Sequence, residues 1–391
     1  MSRNQTQRAV PDGWRSIPLS EVALKKIVYG IVQAGPHDPD GVPYLKSSDV
    51  GGLIDTDGLQ RTSPAIHAKF RRSRVVPGDI VISLRGNTGV TSVVPPTLPE
   101  ANLTQGTARI AVTKEHSSAF VRQQIASTST QRLIQAATKG STFVEITLDD
   151  LRQVEILCPP LPEQRRIAEI LHTWDRAIET VESLIVNARK QKAALMQALL
   201  TGKRHLSGYT DDAKIVPLSE ISKIETGSSN KEDSLNVGEY TFFDRSVDVR
   251  RSSRYLFDTE AIIIGGEGQE FVPKYFHGKF DLHQRAYALH SFMGAECQYV
   301  FYATHHARHL LKRYAVGSTV ASLRLPTFQR VSIWLPTLPE QRAIADLLRT
   351  ADGEIERLEA QHSALREEKA ALMQQLLIGK RRVKVAEPEN A

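Results

Sequence analysis

The chain has 391 residues, 41% of them hydrophobic and 24% charged, with 50 Lys+Arg against 44 Asp+Glu and a formal charge of +6. That length predicts two or three domains, and the near-average composition excludes wholesale disorder, collagen and low-complexity architectures. Two cysteines (Cys158, Cys297), a polar start and no apolar run near the ~20 residues of a membrane helix predict a soluble cytoplasmic protein with no membrane contact.

The first part of the chain carries short strand-like runs broken by Gly and Pro. Residues 79–84 (Asp-Ile-Val-Ile-Ser-Leu) predict a buried strand entering a glycine-containing loop, Arg85–Gly89, where backbone can approach a ligand closely. Asn102–Thr107 follows, then one helix over 117–137. At Pro162-Glu163-Gln164 the apolar spacing becomes helical. Proline suits the first helical position, where its missing N–H would be unpaired anyway, and Glu163 favours the positive end of the helix dipole. Gly202 sits where a left-handed C-cap is expected, followed by Lys203 and Arg204. Between these signals lies a helix of about 40 residues, near 60 Å at ~1.5 Å per residue. Such a length needs a partner along it.

The chain then repeats itself. Residues 337–343 (TLPEQRA) answer 160–166 (PLPEQRR) 177 positions earlier, and the same offset pairs Gly140-Ser141-Thr142 with Gly317-Ser318-Thr319 and Gly202-Lys203-Arg204 with Gly379-Lys380-Arg381. Nearer the start of each copy the offset is 199, as between Ile17-Pro18-Leu19-Ser20-Glu21 and Val216-Pro217-Leu218-Ser219-Glu220, so the second front part is shorter. Its strand 260–264 runs into Gly265-Gly266-Glu267-Gly268-Gln269, Asp281–Ala286 matches Asn102–Thr107, and 295–315 predicts a helix. A duplicated unit that cannot bury its apolar face alone packs against its copy.

The long helices carry an apolar seam, compatible with packing of each helix on its own globular domain but, in two matched helices of one chain, predicting that they pair with each other. In the first it is Trp174, Ile178, Val181, Ile185, Ala188, Leu195 and Leu199; in the second, Ala351, Ile355, Leu358, Leu365, Leu372 and Leu376, interrupted at Lys192, His362 and Lys369. Spacings of 4 and 3 define a coiled coil. A linker of about 14 residues (203–216) spans at most roughly 48 Å, too little to return along a 60 Å helix, so the pairing is expected to be antiparallel. The predicted fold is α/β (α+β): two globular domains separated by a long antiparallel two-helix coiled coil with a pseudo-two-fold repeat. Expected boundaries are 1–158, 159–204, 205–335 and 336–382, with a disordered tail at 383–391.

Polar and basic side chains on the front parts suit DNA. Arg bonds guanine bidentately, Asn and Gln do so with adenine, and Lys, Ser and Thr hold phosphates. The candidates are Lys69, Arg71, Arg72, Arg74, Arg85, Asn87, Thr88 and Gln105 in the first copy. In the second they are Arg250, Arg251, Arg254, Gln269, Lys274, Lys279, Gln284 and Arg285. Each basic residue taken singly is also compatible with a solvated surface charge, and Gly140–Thr142 and Gly317–Thr319 with phosphate clamps or plain turns. Covalent chemistry has no motif here. Gly202-Lys203-Arg204 lacks the upstream glycine and the hydroxyl of a P-loop, the Gly265–Gly268 stretch is not a dinucleotide fingerprint, and His305, His306 and His309 lack a third metal-ligand partner.

This organisation, with a PLPEQ-headed helix closing in TGKR and an LPEQ-headed helix closing in IGKR, resembles the specificity subunit of type I restriction-modification enzymes. The segments VPGDIVISLRGNTG and TEAIIIGGEGQ look like that family's target recognition domains. The resemblance implies that each front domain reads one half of a split double-stranded DNA target and that the helices set the unread spacer. It further implies docking of two methyltransferase subunits carrying S-adenosylmethionine, and ATP- and Mg-dependent restriction translocases, with no cofactor and no catalysis in this chain. The alternative is a non-enzymatic coiled-coil scaffold whose front domains bind protein.

Overall fold

A computed structural model describes residues 10–140, 144–209, 212–246, 248–317 and 319–385. In chain order the first half holds β1 (Arg15–Pro18), α1 (Leu19–Val22), β2 (Val42–Leu45), β3 (Arg61–Thr62), α2 (Pro64–Lys69), β4 (Ile80–Ser83), β5 (Thr91–Val93), β6 (Asn102–Leu103) and β7 (Thr107–Ile110). Then come α3 (Ser118–Ala126), α4 (Thr128–Ala137), α5 (Leu148–Arg152), β8 (Glu155–Cys158) and the long α6 (Leu161–Leu199). The second half repeats the order: β9 (Lys214–Pro217), α7 (Leu218–Ile221), β10 (Lys223–Thr226), β11 (Tyr240–Phe243), β12 (Arg250–Ser252), β13 (Phe257–Gly265), β14 (Lys274–Leu282) and β15 (Ala286–His290). It closes with α8 (Cys297–His306), α9 (Arg308–Tyr314), α10 (Leu325–Arg330), β16 (Ser332–Leu335) and α11 (Leu338–Leu376).

The chain divides into two compact units, Met1–Thr180 with His362–Ala391, and Val181–Gln361. Each contains one front part, the start of its own long helix and the end of the other. In the first unit β4 is buried on both faces: Ile80 and Ile82 join one core with Phe120 and Ile167, while Val81 joins a second with Leu45 and Leu103. In the second, Ile262 and Ile264 pack with Tyr299 and Phe328, and Ala261 and Ile263 with Phe243 and Phe280. A continuous apolar run is what a strand covered on both sides requires. The pairing is mostly antiparallel, with the exceptions β2·β6 and β11·β14 (parallel), so of the two terms offered by the sequence α+β is the apt one.

The two sheets differ for a readable reason. In the second unit one six-stranded sheet runs β10-β15-β13-β14-β11-β12. In the first, the strand equivalent to β14 is broken into β5 and β6, and strands β2 to β7 form two three-stranded sheets, β3-β2-β6 and β5-β4-β7. Pro95, Pro96 and Pro99 fill the break, and proline cannot donate to a ladder. Where one helix was expected over 117–137 and another over 295–315, each region holds two. Ser127 is extended (ψ 143°) and its hydroxyl accepts from Thr130 N to start α4; the second break falls at Ala307. Pro162 and Pro339 lie second, not first, in their helices, still within the first turn where an N–H has no intrahelical acceptor.

Within each unit the helix pairing is antiparallel and reciprocal. In the first unit Lys369 forms an ion pair with Asp175, and in the second Lys192 forms one with Asp352, the same residues exchanged between copies. The lysines that interrupt the apolar seam thus meet carboxylates across it. Val181, Ile185, Leu199, Ile355, Leu358 and Leu376 are buried, and Trp174, Ile178, Leu195, Leu365 and Leu372 half-buried. The Glu-Gln heading each helix is also reciprocal. Glu163 holds the Arg382 guanidinium through two 2.7 Å bonds, and Glu340 faces His205 at 3.2 Å, where Glu163 is 4% and Glu340 0% exposed. Gln164 accepts from Ser117 N at 2.9 Å, and Gln341 from Glu296 N at 2.8 Å, each ahead of the helix that follows the front sheet. In the tail, Val383 packs on the first unit's core; residues 386–391 of the expected disordered segment lie outside the described residues.

Candidate nucleic-acid interface

In the first unit three chain segments emerge at one end of the sheets: Lys46–Ser48 after β2, Arg85–Gly86 after β4, and the Thr104–Gly106 turn between β6 and β7. Together with Ile31, Val32 and Ala34 they line an open recess of about 490 Å³, with Tyr44 at its side. A second recess of about 340 Å³ shares Arg85 and Gln105 and adds Glu145, Asp149 and Arg152. Arg85 stands between them, ion-paired to Glu145 at 2.6 Å and half exposed. The turn is anchored from beneath by Asn102, fully buried, whose Oδ1 accepts from Ser73 Oγ at 2.6 Å and Leu103 N at 2.9 Å. A buried, fully bonded post of this kind makes the turn above it rigid.

The second unit has the same post. Asp281 is 0% exposed and accepts from Ser229 Oγ (2.6 Å), Leu282 N (2.9 Å) and Ser252 Oγ (2.8 Å). Above it the polar side chains differ. Strand register places Arg245 where the first unit has Ser47, and Arg285 where it has Gly106. The backbone bridge that Arg85 makes with Glu145 is made here by Glu267 with Ser322. One carboxylate, Glu267, therefore occupies the position of a guanidinium, and takes Arg245 and Arg285 as its partners. His283 in the same turn is held below the usual histidine range: burial outweighs the attraction of Asp244, and Arg245 and Arg285 add repulsion.

The sixteen candidate residues separate into groups. Arg85 and Gln105 meet at the first recess; Asn87 is exposed in the next turn, and Thr88 bonds the carbonyls of Leu84 (3.3 Å) and Val144 (3.1 Å). Lys69, Arg71 and Arg72 are exposed along the end of α2 and the turn after it, while Arg74 is paired with Glu100 at 3.1 Å. In the second unit Gln284 and Arg285 lie at the strand exits, Gln284 bonded to Asn230 Oδ1 at 2.6 Å, and Gln269 is exposed in the loop after β13. Others are committed to the fold. Arg251 donates to the carbonyls of Gly238 and Glu239 at 2.9 Å, Arg250 to Ser234 Oγ at 3.1 Å, and Arg254 to Ser229 Oγ at 2.8 Å. Lys274 donates to the Ser246 carbonyl at 2.7 Å, its ammonium pKa lowered mainly by burial, and Lys279 lies 4.7 Å over the Tyr255 ring. Lys46, Ser48, Arg245 and Glu267 escaped the sequence reading. Aligning Tyr44-Leu45-Lys46-Ser47-Ser48 with Phe242-Phe243-Asp244-Arg245-Ser246 would have found Lys46, Ser48 and Arg245. Gly140 and Gly317 are both in the left-handed region, and Ser141, Thr142 and Ser318 lie outside the described residues.

Residues 11–187 and 210–365 match the family of type I restriction modification DNA specificity domains. Among curated relatives, the type I restriction enzyme MjaVIII specificity subunit of Methanocaldococcus jannaschii is 25% identical over 290 residues, 65% of this chain and 68% of that protein. The EcoDI specificity subunit of Escherichia coli is 29% identical over 149 residues, 38% of this chain and 33% of its own. The S subunit of a type I system from M. genitalium superposes with a TM-score of 0.65 at 16% identity, over 96% of this chain and 98% of that one. A chain from a structure of type I complex assembly and conformational transition gives 0.59 at 19% identity, over 94% and 98%. No helix among the described residues is long and apolar enough to cross a membrane.

Proposed function

Because this chain belongs to the family of type I restriction-modification DNA specificity subunits, we propose that its two units read the two unlike halves of one split double-stranded target. One observation carries the proposal: the same buried post and the same strand exits present different polar side chains in the two units, Arg85 with Lys46 and Gln105 in one, Glu267 with Arg245 and Arg285 in the other. A shared scaffold with exchanged contact residues reads different base edges, since each base pair shows its own donor and acceptor pattern in the major groove. The exposed cations Lys69, Arg71 and Arg72 suit phosphate contacts that set position without sequence. No observation favours a protein-binding scaffold.

The paired helices would fix the spacer between half-targets and dock two methyltransferase subunits. Those subunits would carry S-adenosylmethionine, restriction translocases would bring ATP and Mg, and this chain would supply recognition alone. Methylome sequencing of cells with and without the chain tests this: one asymmetric split motif should vanish with it. DNA binding by the complex should also weaken steeply with salt. Removing one heptad from each helix, about 10 Å, should shorten the recognised spacer by about 3 base pairs. A methylome indifferent to the chain would end the proposal.

A further inference from the structure

Glu267 sits at the exit of β13, its side chain 17% exposed, with one carboxylate oxygen 2.8 Å from Arg285 Nη1 and the other paired to Arg245 Nη1. The two guanidiniums are 59% and 56% exposed and come from different segments, the β14–β15 turn and the residue pair after β11. Neither has another side-chain hydrogen-bond partner among the described residues. The glycine doublet that precedes Glu267 lets them close in. A Cβ on Gly265 would stand 3.0 Å from Arg245 Cα, and one on Gly266 would stand 2.6 Å from the Arg285 carbonyl oxygen. A side chain at Gly266 would force the Arg285 segment to shift, and one at Gly265 would need the Arg245 segment to give by a few tenths of an ångström.

The first unit shows that the fold does not need these charges. The segments equivalent to those of Arg245 and Arg285 are joined there by a neutral bond, Ser47 Oγ to the Gly106 carbonyl at 2.8 Å. A hydroxyl and a backbone oxygen suffice to tie the two segments, so three charged groups in their place call for another role. We infer that Glu267 is a positioning residue that presents Arg245 and Arg285 as a paired guanidinium reader of guanine in the half-target of the second unit, an inference resting on the DNA-reading function proposed above. Each arginine bonds Glu267 through one nitrogen, leaving its remaining N–H groups to meet paired acceptors. Guanine O6 and N7 offer that pair, and the carboxylate holds the forks in place before DNA arrives.

Methylome sequencing of cells carrying the complete system with the wild type, Arg285→Gln, Arg285→Lys or Glu267→Gln reads the inference directly. A wild type that yields no split motif removes the functional proposal itself. Given a split motif, Arg285→Gln should relax a fixed guanine in one half, with a roughly ten- to hundredfold loss of discrimination there, and leave the other half intact. Arg285→Lys, which keeps the charge but not the fork, should fail to restore it, and Glu267→Gln should weaken the same position. An unchanged motif overturns the inference. So does evenly reduced methylation with no change in preference, which marks a phosphate contact, or loss of both halves with a lowered melting temperature, which marks a role in the fold.

Discussion

Gly202 closes α6 at φ +71°, and a Cβ there would stand 2.6 Å from Trp334 Nε1. An L side chain in the left-handed region costs about 1–2 kcal/mol before any clash is counted. Gly353, inside α11, is the opposite case: a Cβ meets nothing within 4 Å, and helical glycine is worse than alanine by about 0.5–1 kcal/mol. Gly202→Ala should therefore lower the melting temperature by several degrees and Gly353→Ala raise it slightly, as calorimetry of the two variants will show. A helix-capping glycine followed by Lys and Arg was legible in the sequence. That an indole lies against it was not, because Trp334 is 132 positions away and only β16 brings it there.

At the scale of the element, the long helices are held by apolar seam residues and by two exchanged ion pairs. The seam came from spacing alone, because 4 and 3 are what a supercoiled pair requires. The lysines that interrupt it meet carboxylates on the facing helix. Lys192 and Asp352 lie across the second unit's pair, both half-buried. A double-mutant cycle on Lys192→Ala and Asp352→Ala should give a coupling of about 0.5–3 kcal/mol, each single variant leaving one charge without its partner. Additive single effects would mean that the pair contributes nothing. The front sheets were legible less completely. Their central strands β4 and β13 showed as apolar runs, but the split of β14's counterpart into β5 and β6 rests on strand pairing, β5 with β4 and β6 with β2, on either side of the three prolines.

For the whole molecule, the sequence order of domains differs from the physical one. The first unit is completed by the last residues of the chain: Leu376 and Leu377 enter its core, Lys369 pairs with Asp175, and Arg382 with Glu163. Ending the chain at Gln361 should therefore unfold the first unit although none of residues 1–180 is altered. Burial lost at two leucines alone is worth about 2–5 kcal/mol each. Limited proteolysis should cut the truncated protein within residues 10–180, where the full chain is protected; equal protection would show the first unit to be self-sufficient.

The sequence by itself determined the duplication, the two long helices with their caps and seam, the buried central strands and the absence of catalytic motifs. All of these are local or periodic signals, written in spacing that does not depend on distant partners. Tertiary structure alone decided which charges meet. Arg251, Arg254 and Lys274 look like Arg285 in the chain, yet each is bonded to a carbonyl or hydroxyl of its own unit, and Glu267 has Arg245 and Arg285 as partners only through strand register. What a charged side chain bonds is set by pairings between segments far apart in sequence.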